Sequence, residues 1–277
     1  MELVTSTRIE KNTPAPESSL ADFRIKASDN IKADVYVSKI GNTNKFSKGN
    51  ISAWTGAAKS RKTFGMTMVV ASMLGGIDLY NQFYSYDKNK VLWIDTEQSP
   101  FDVQKVTRRL KQFVGTEANL IMYGLRPLTP AQRLSMIEQA LKENKCDVLV
   151  IDGARDLLMN INDPEQGTII VTKLMEWSYN YNIHVATVVH SSQKGVRGHL
   201  GTELENKAET VIKIQVNEND KERSDIIEVK SRGKGFQDIA FKVNDKGLPE
   251  VLDSDMMNDF LPAMPGQSKE EKEIIPF

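Results

Sequence analysis

Eight consecutive residues of this chain have the types and spacing needed to hold a phosphate. Gly56-Ala57-Ala58-Lys59-Ser60-Arg61-Lys62-Thr63 follows the loop form G-x-x-x-x-G-K-[ST] except at one position, where Arg61 replaces the second glycine. Backbone N–H groups at such a turn converge on an anion, and the positive end of the following helix dipole points into the same space. Lys62 would set its ammonium on the β- and γ-phosphates of ATP, and the Thr63 hydroxyl would bind Mg²⁺. Phe64 opens the helix behind them and completes the candidate nucleotide-binding set. Arg61 has two readings. It adds a positive charge beside the γ-phosphate, or it marks a loop that binds nucleotide with slowed turnover.

Three further polar marks follow short apolar runs, where buried strands would end. Asp152 follows Val148-Leu149-Val150-Ile151. A carboxylate there suits Mg²⁺, usually through water. Glu97 lies two residues past the run 90–95 and could orient and deprotonate an attacking water. Asp95 competes for that role, although its place at the strand end suits capping. His190 ends the run 185–189 and could sense a γ-phosphate, with Ser191 and Gln193 as alternatives. His184 and His199 have no assignable partner, and no His/Cys/Asp spacing suggests zinc.

Two basic groups stand apart. Lys194 and Arg197 sit among three glycines in 191–201, a loop that could grip a phosphate backbone of DNA. Little aromatic interleaving accompanies them, which argues against base stacking. Lys230 and Arg232 alternate near the end of a late strand, so they share a face and could reach the nucleotide of a neighbouring subunit.

These groups need elements to position them. The apolar run 51–54 reads as a strand into the loop, and residues 63–74 as a helix stopped by Gly75-Gly76. The near-continuous apolar runs 90–95 and 146–152 read as strands buried on both faces of a parallel sheet. Helices are expected over 102–114, from Thr129-Pro130 to 145, and over 167–181. Short strands are expected at 33–37, 120–123, 183–190, 207–216, 226–229 and 238–243, turn-rich loop at 41–49, and a turn at 245–247 from which the chain exits through 248–252. Strands alternating with helices, then close-spaced strands, predict an α/β fold with a mainly parallel sheet extended by C-terminal antiparallel strands. In such a sheet, ligands bind at the carboxyl ends of the strands.

Charge and composition limit the partners. The net charge of −1 gives no overall nucleic-acid or membrane signal, so any basic surface must be local. One cysteine, Cys146, excludes an internal disulfide framework and reads as a buried thiol. No apolar stretch approaches the roughly 20 residues of a membrane span. The polar N-terminus lacks a signal-peptide core, so a cytoplasmic, reducing setting is expected. Residues 1–20 are expected to be a mobile arm, 21–252 a single catalytic domain, and 253–277 a polar tail.

The order of the marks resembles the RecA-like P-loop ATPase superfamily: the loop, then WIDTEQS, then VLVIDG, then a strand ending in His, then a Lys-x-Arg strand end. Within it, VVHSSQKGVRGHLGTELENKAETVIKI is similar to the hexameric replicative helicase branch, of DnaB and plasmid RepA type. The resemblance spans about residues 49–250. It implies a three-layer αβα core, ATP and Mg²⁺ as cofactors, and a homo-oligomer, most simply a ring hexamer acting on single-stranded DNA. By motif position, Glu97 would be the catalytic base, Asp152 the metal-site acid and His190 the sensor, with Lys230 and Arg232 acting in trans. Residues 1–48 are too short for the separate N-terminal domain of full replicative helicases. A regulatory ATP-binding module with little turnover, because of Arg61, is the alternative. A small-molecule kinase ranks lower, since no arginine-rich lid follows at the expected place.

Overall fold

The computed structural model describes residues 19–252 apart from Ile161, Gln193, Lys194 and Arg197. The chain divides into two compact units, Met1–Ala33 and Asp34–Phe277. Of the first, the described part is a short 3₁₀ turn, Leu20–Phe23, and an irregular segment in which Phe23, Ile25 and Ile31 are exposed. The expected arm and tail fall almost wholly outside the described residues.

The second unit begins with an antiparallel pair, β1 (Tyr36–Ile40) and β2 (Thr43–Ser47). The stretch expected to be a turn-rich loop is therefore mostly a strand: two residues, Gly41 and Asn42, make the turn, with Gly41 at φ 54°. Then come β3 (Ile51–Gly56), α1 (Lys62–Gly75), the two-residue strands β4 (Asp78–Leu79) and β5 (Phe83–Tyr84), and β6 (Val91–Asp95). β4 and β5 join β1 and β2 in a four-stranded sheet, ordered β2-β1-β5-β4, against the far end of α1.

α2 (Pro100–Val114), β7 (Leu120–Gly124), α3 (Pro130–Glu143), β8 (Val148–Asp152), α4 (Pro164–Asn180) and β9 (His184–Ser192) follow. The last elements are β10 (Gly195–Val196), α5 (Gly198–Lys207), β11 (Thr210–Val216), β12 (Ser224–Ser231), β13 (Ile239–Val243) and β14 (Pro249–Val251). Two helices start earlier than periodicity suggests, for the same reason. Ser99 caps α2 and Asp163 caps α4, each followed by proline at the first helical position. α3 carries a full capping box between Thr129 and Gln132. The expected loop 191–201 is instead the short β9–β10 hairpin and the start of α5.

The main sheet runs β14-β13-β12-β11-β3-β9-β8-β6-β7, with β10 added to β9. Strands β11 through β7 in that order are parallel, and β12, β13 and β14 extend them antiparallel. The parallel strands are apolar throughout because each side chain meets a helix layer. Trp93, Val148 and Val150 pack with α1 and α2, while Leu92, Ile94, Leu149 and Ile151 pack with α3, α4 and α5. The result is the expected α/β architecture, helices on both faces of a mainly parallel sheet with antiparallel strands at its C-terminal edge.

Among the described residues, no helix is long and apolar enough to cross a membrane.

Candidate nucleotide site

Parallel register brings the polar strand ends side by side. Gly56 pairs with His190, and Asp95 pairs with Asp152. Since β3, β9, β8 and β6 are consecutive in the sheet, Gly56, His190, Asp152 and Asp95 line one edge of it. A cleft of about 470 Å³ opens there, bordered by Lys59 through Phe64, Glu97, Asp152 and His190, with Asp102, Lys105 and Arg109 of α2 as its other wall.

The loop between β3 and α1 holds three positive-φ positions, Gly56, Lys59 (φ 63°) and Arg61. Gly56 has φ 155°, and a Cβ there would lie 2.2 Å from the carbonyl oxygen of Ile214, so no side chain fits. Arg61 is left-handed at φ 67° and ψ 31°, where a residue other than glycine carries a cost of about 1 kcal/mol. Its guanidinium is already engaged within the chain. It donates to Ser224 Oγ at 3.0 Å and to the Lys221 carbonyl at 2.8 Å, across the β11–β12 corner.

Lys62 Nζ donates to the carbonyls of Gly56 (3.1 Å) and Ala57 (2.8 Å), and it lies 3.2 Å from His190 Nδ1. An ammonium cannot accept, so Nδ1 is the acceptor and the ring proton sits on Nε2. That nitrogen donates to Glu97 Oε1 at 3.1 Å. One unbroken chain thus runs from Lys62 through His190 to Glu97. The His190 hydrogen bond is the main cause holding the Glu97 carboxyl below its ordinary range, with Lys62 and Arg155 nearby adding to it against burial. Burial lowers the Lys62 pKa, and Asp152 and Glu97 oppose that.

Thr63 Oγ1 donates to Asp152 Oδ2 at 2.9 Å. Burial and the neighbouring Asp95 push Asp152 up to about 7, against the Thr63 hydrogen bond. A hydroxyl and a buried carboxylate short of positive charge are a donor set suited to Mg²⁺. Among the described residues no group of three or more His, Cys, Asp or Glu side chains could hold a metal ion, so the remaining ligands would be phosphate oxygens and water. The buried Ser60 Oγ, which has no hydrogen-bond partner among the described residues, leaves a polar atom in the loop itself for an anion to satisfy. The residues present fit a magnesium nucleotide.

Asp95 is occupied elsewhere. Its carboxylate accepts from the backbone N–H groups of Glu97 and Gln98 and from Gln98 Nε2, so it caps the turn that presents Glu97. Three contributors were not evident in the sequence. Thr96 Oγ1 lies 2.9 Å from the Gly153 carbonyl and 3.1 Å from Asp156 Oδ2, locking the ends of β6 and β8 together. Gly153 at φ 102° leaves room for it, since a Cβ would fall 2.3 Å from that oxygen. Arg133 donates to carbonyls of Leu125 (3.2 Å), Arg126 (2.9 Å) and Asp156 (2.7 Å), tying the loops after β7 and β8. Arg109, on α2, stacks on Phe64 at 3.9 Å and forms part of the cleft wall. Thr96 stands beside a strand end, but Arg109 and Arg133 lie within helices, where nothing in the sequence marks them.

Lys230 and Arg232 are not part of this cleft. Ser231 pairs with Thr210 at the start of β11, which puts both at the opposite end of the sheet. Lys230 is paired with Glu205 at 3.1 Å, and Arg232 donates to the Lys207 carbonyl at 2.9 Å. Lys194 and Arg197 lie outside the described residues. His184 is a buried core histidine, 2.8 Å from Ser52 Oγ and 3.0 Å from the Ser47 carbonyl.

A family model described as an AAA domain matches residues 19–196, more than half of the chain. No curated protein matches. Among solved structures, a KaiC-like protein from the hyperthermophilic archaeon Pyrococcus horikoshii OT3 is similar at a TM-score of 0.57 and 14% identity, over 80% of this chain and 99% of that one. At that identity the likeness is one of fold.

Proposed function

Because the chain belongs to the AAA-domain family and carries a RecA-like P-loop ATPase fold, we propose that it is a Mg²⁺-dependent ATPase acting on DNA as a helicase or motor. The observation that carries this reading is the hydrogen-bonded chain Lys62–His190–Glu97 beside the Thr63–Asp152 pair. Glu97, held ionised by His190, takes the proton of a water attacking the γ-phosphate. Lys62 exchanges its loop carbonyls for phosphate oxygens. His190 touches both, so a change at the phosphate reaches the base and the strand that carries it. Thr63 and Asp152 would hold Mg²⁺, which would supply charge neutralisation at the phosphates. Catalysis here is positioning and electrostatics, with no covalent intermediate.

DNA is the proposed partner because β9, which carries His190 at the cleft, continues directly into the β9–β10 hairpin, and Lys194 and Arg197 belong to the same stretch of sequence. A strand shared by sensor and hairpin is a short path between nucleotide state and polymer grip. The homo-oligomer, most simply a hexamer, is proposed on the position of Arg232: it lies at the end of the sheet away from its own cleft, where it would face a neighbour's after giving up its bond to the Lys207 carbonyl.

Phosphate release with and without single-stranded DNA tests the assignment. Turnover that DNA stimulates, and that Lys62→Ala lowers by about 10²-fold or more, is the expected result. Full turnover in Lys62→Ala removes the assignment. ATP binding with no turnover in the native chain favours a regulatory module instead.

A further inference from the structure

Position 61 is where this loop form carries glycine, and the left-handed backbone there is the reason. Here an arginine adopts that backbone and sends its side chain to the β11–β12 corner, 160 residues further along the chain. We propose that Arg61 is a positioning residue whose tether replaces the missing glycine, so that the shape of the phosphate-binding loop depends on the β11–β12 corner. The proposal rests on the ATPase reading and adds a control point to it.

The corner is built to receive the guanidinium. Ser224 is fully buried at the start of β12, between its partners Val216 and Phe241. The turn before it is stiff. Asn217 Oδ1 accepts from the N–H groups of Asn219 (3.0 Å) and Asp220 (3.2 Å), and its Nδ2 donates to Asp225 at 3.1 Å. Asp220 pairs with Lys242 at 2.9 Å, and Arg223 with Asp225 at 2.7 Å. Both Arg61 acceptors are therefore fixed.

β11 also leans on the loop directly. The Ile214 carbonyl closes on Gly56, and Ile214 Cδ1 faces Gly65 one turn into α1. Arg61 supplies the directional link between these two contacts. Its two terminal nitrogens each hold one acceptor, Nη1 the Ser224 hydroxyl and Nη2 the Lys221 carbonyl, in a planar fork that the single nitrogen on lysine's flexible stem does not reproduce. Because the guanidinium is engaged at the corner, its effect falls on the conformation of the N–H cradle. That alters ground-state and transition-state binding alike, so KM moves and kcat does not.

The test measures Kd for a fluorescent ATP analogue with Mg²⁺, and KM and kcat for ATP, on the full chain. Ser224→Ala, at a residue that does not border the cleft, raises Kd and KM about threefold with kcat unchanged. Arg61→Ala keeps the left-handed demand without the tether and raises them about tenfold. Arg61→Lys behaves like Arg61→Ala. Arg61→Gly removes both demand and tether and binds about as the native chain does; in that background Ser224→Ala has no effect. Native-like Kd in Arg61→Ala, or the same Ser224→Ala effect in both backgrounds, overturns the tether. Thermal unfolding of each variant separates these results from misfolding, and Ser224→Ala keeps the test open if Arg61→Ala fails to fold. No analogue binding by the native chain would instead defeat the ATPase reading beneath the proposal.

Discussion

Glu97 and Asp95 show how one carboxylate becomes available for chemistry while its neighbour does not. Asp95 is enclosed and spends its oxygens on three N–H donors. Glu97 is exposed, with His190 as its side-chain partner. Replacing Glu97 by Gln keeps the shape and removes the base. ATP binding should persist while kcat falls by about 10²- to 10⁴-fold, read by analogue binding and phosphate release. The His190 hydrogen bond predicts a pH effect. A lowered Glu97 pKa keeps the base ionised, and turnover intact, as pH falls through the ordinary carboxylate range. His190→Ala removes the largest lowering cause, so the acid limb of kcat against pH should move to higher pH. An unmoved limb would separate His190 from the base. The alternatives between Glu97 and Asp95 stayed open in the sequence because hydrogen-bond occupancy, which tells them apart, is a property of the folded turn.

At the scale of elements, the strand ends work because the loops after them are tied to one another. Thr96, Gly153 and Asp156 form one such tie, and Gly153 is its narrowest point. Gly153→Ala would force a Cβ toward Thr96 Oγ1 and Glu97 Cγ, at 2.3 and 2.8 Å, on a backbone of φ 102°. The expected outcome is a loss of about 2 kcal/mol of stability together with a displaced Glu97. Urea unfolding and kcat check the two halves separately. The helix start at Thr129-Pro130 is read correctly from its cap and proline, whereas the same signal at Ser99-Pro100 and Asp163-Pro164 is passed over because the apolar periodicity begins a few residues later. The pair β1–β2 was less legible: Thr43–Ser47 reads as turn because of its Asn and Lys, yet Lys45 is buried by an ion pair with Glu228 on β12. A partner 183 residues away decides that a lysine belongs in a strand.

For the whole molecule, the cleft lies at the carboxyl edge of the parallel strands and Arg232 at the other end of the sheet. If Arg232 serves a neighbour's nucleotide, native mass should rise to a multiple of the 31.1 kDa chain with ATP and single-stranded DNA. Arg232→Ala should then cut turnover while leaving nucleotide binding by the isolated chain intact. A monomer under all conditions removes the in-trans role. The α/β class, the parallel core and the four polar strand ends were all present in the linear pattern. Apolar runs long enough to be buried twice, each ending in one polar group, admit few other packings. What folding alone decided was distance and direction. Register set Gly56 beside His190 and Asp95 beside Asp152, and long-range packing sent Arg61 to Ser224. Periodicity specifies which face a residue occupies; only the meeting of segments far apart in the chain specifies what that face meets.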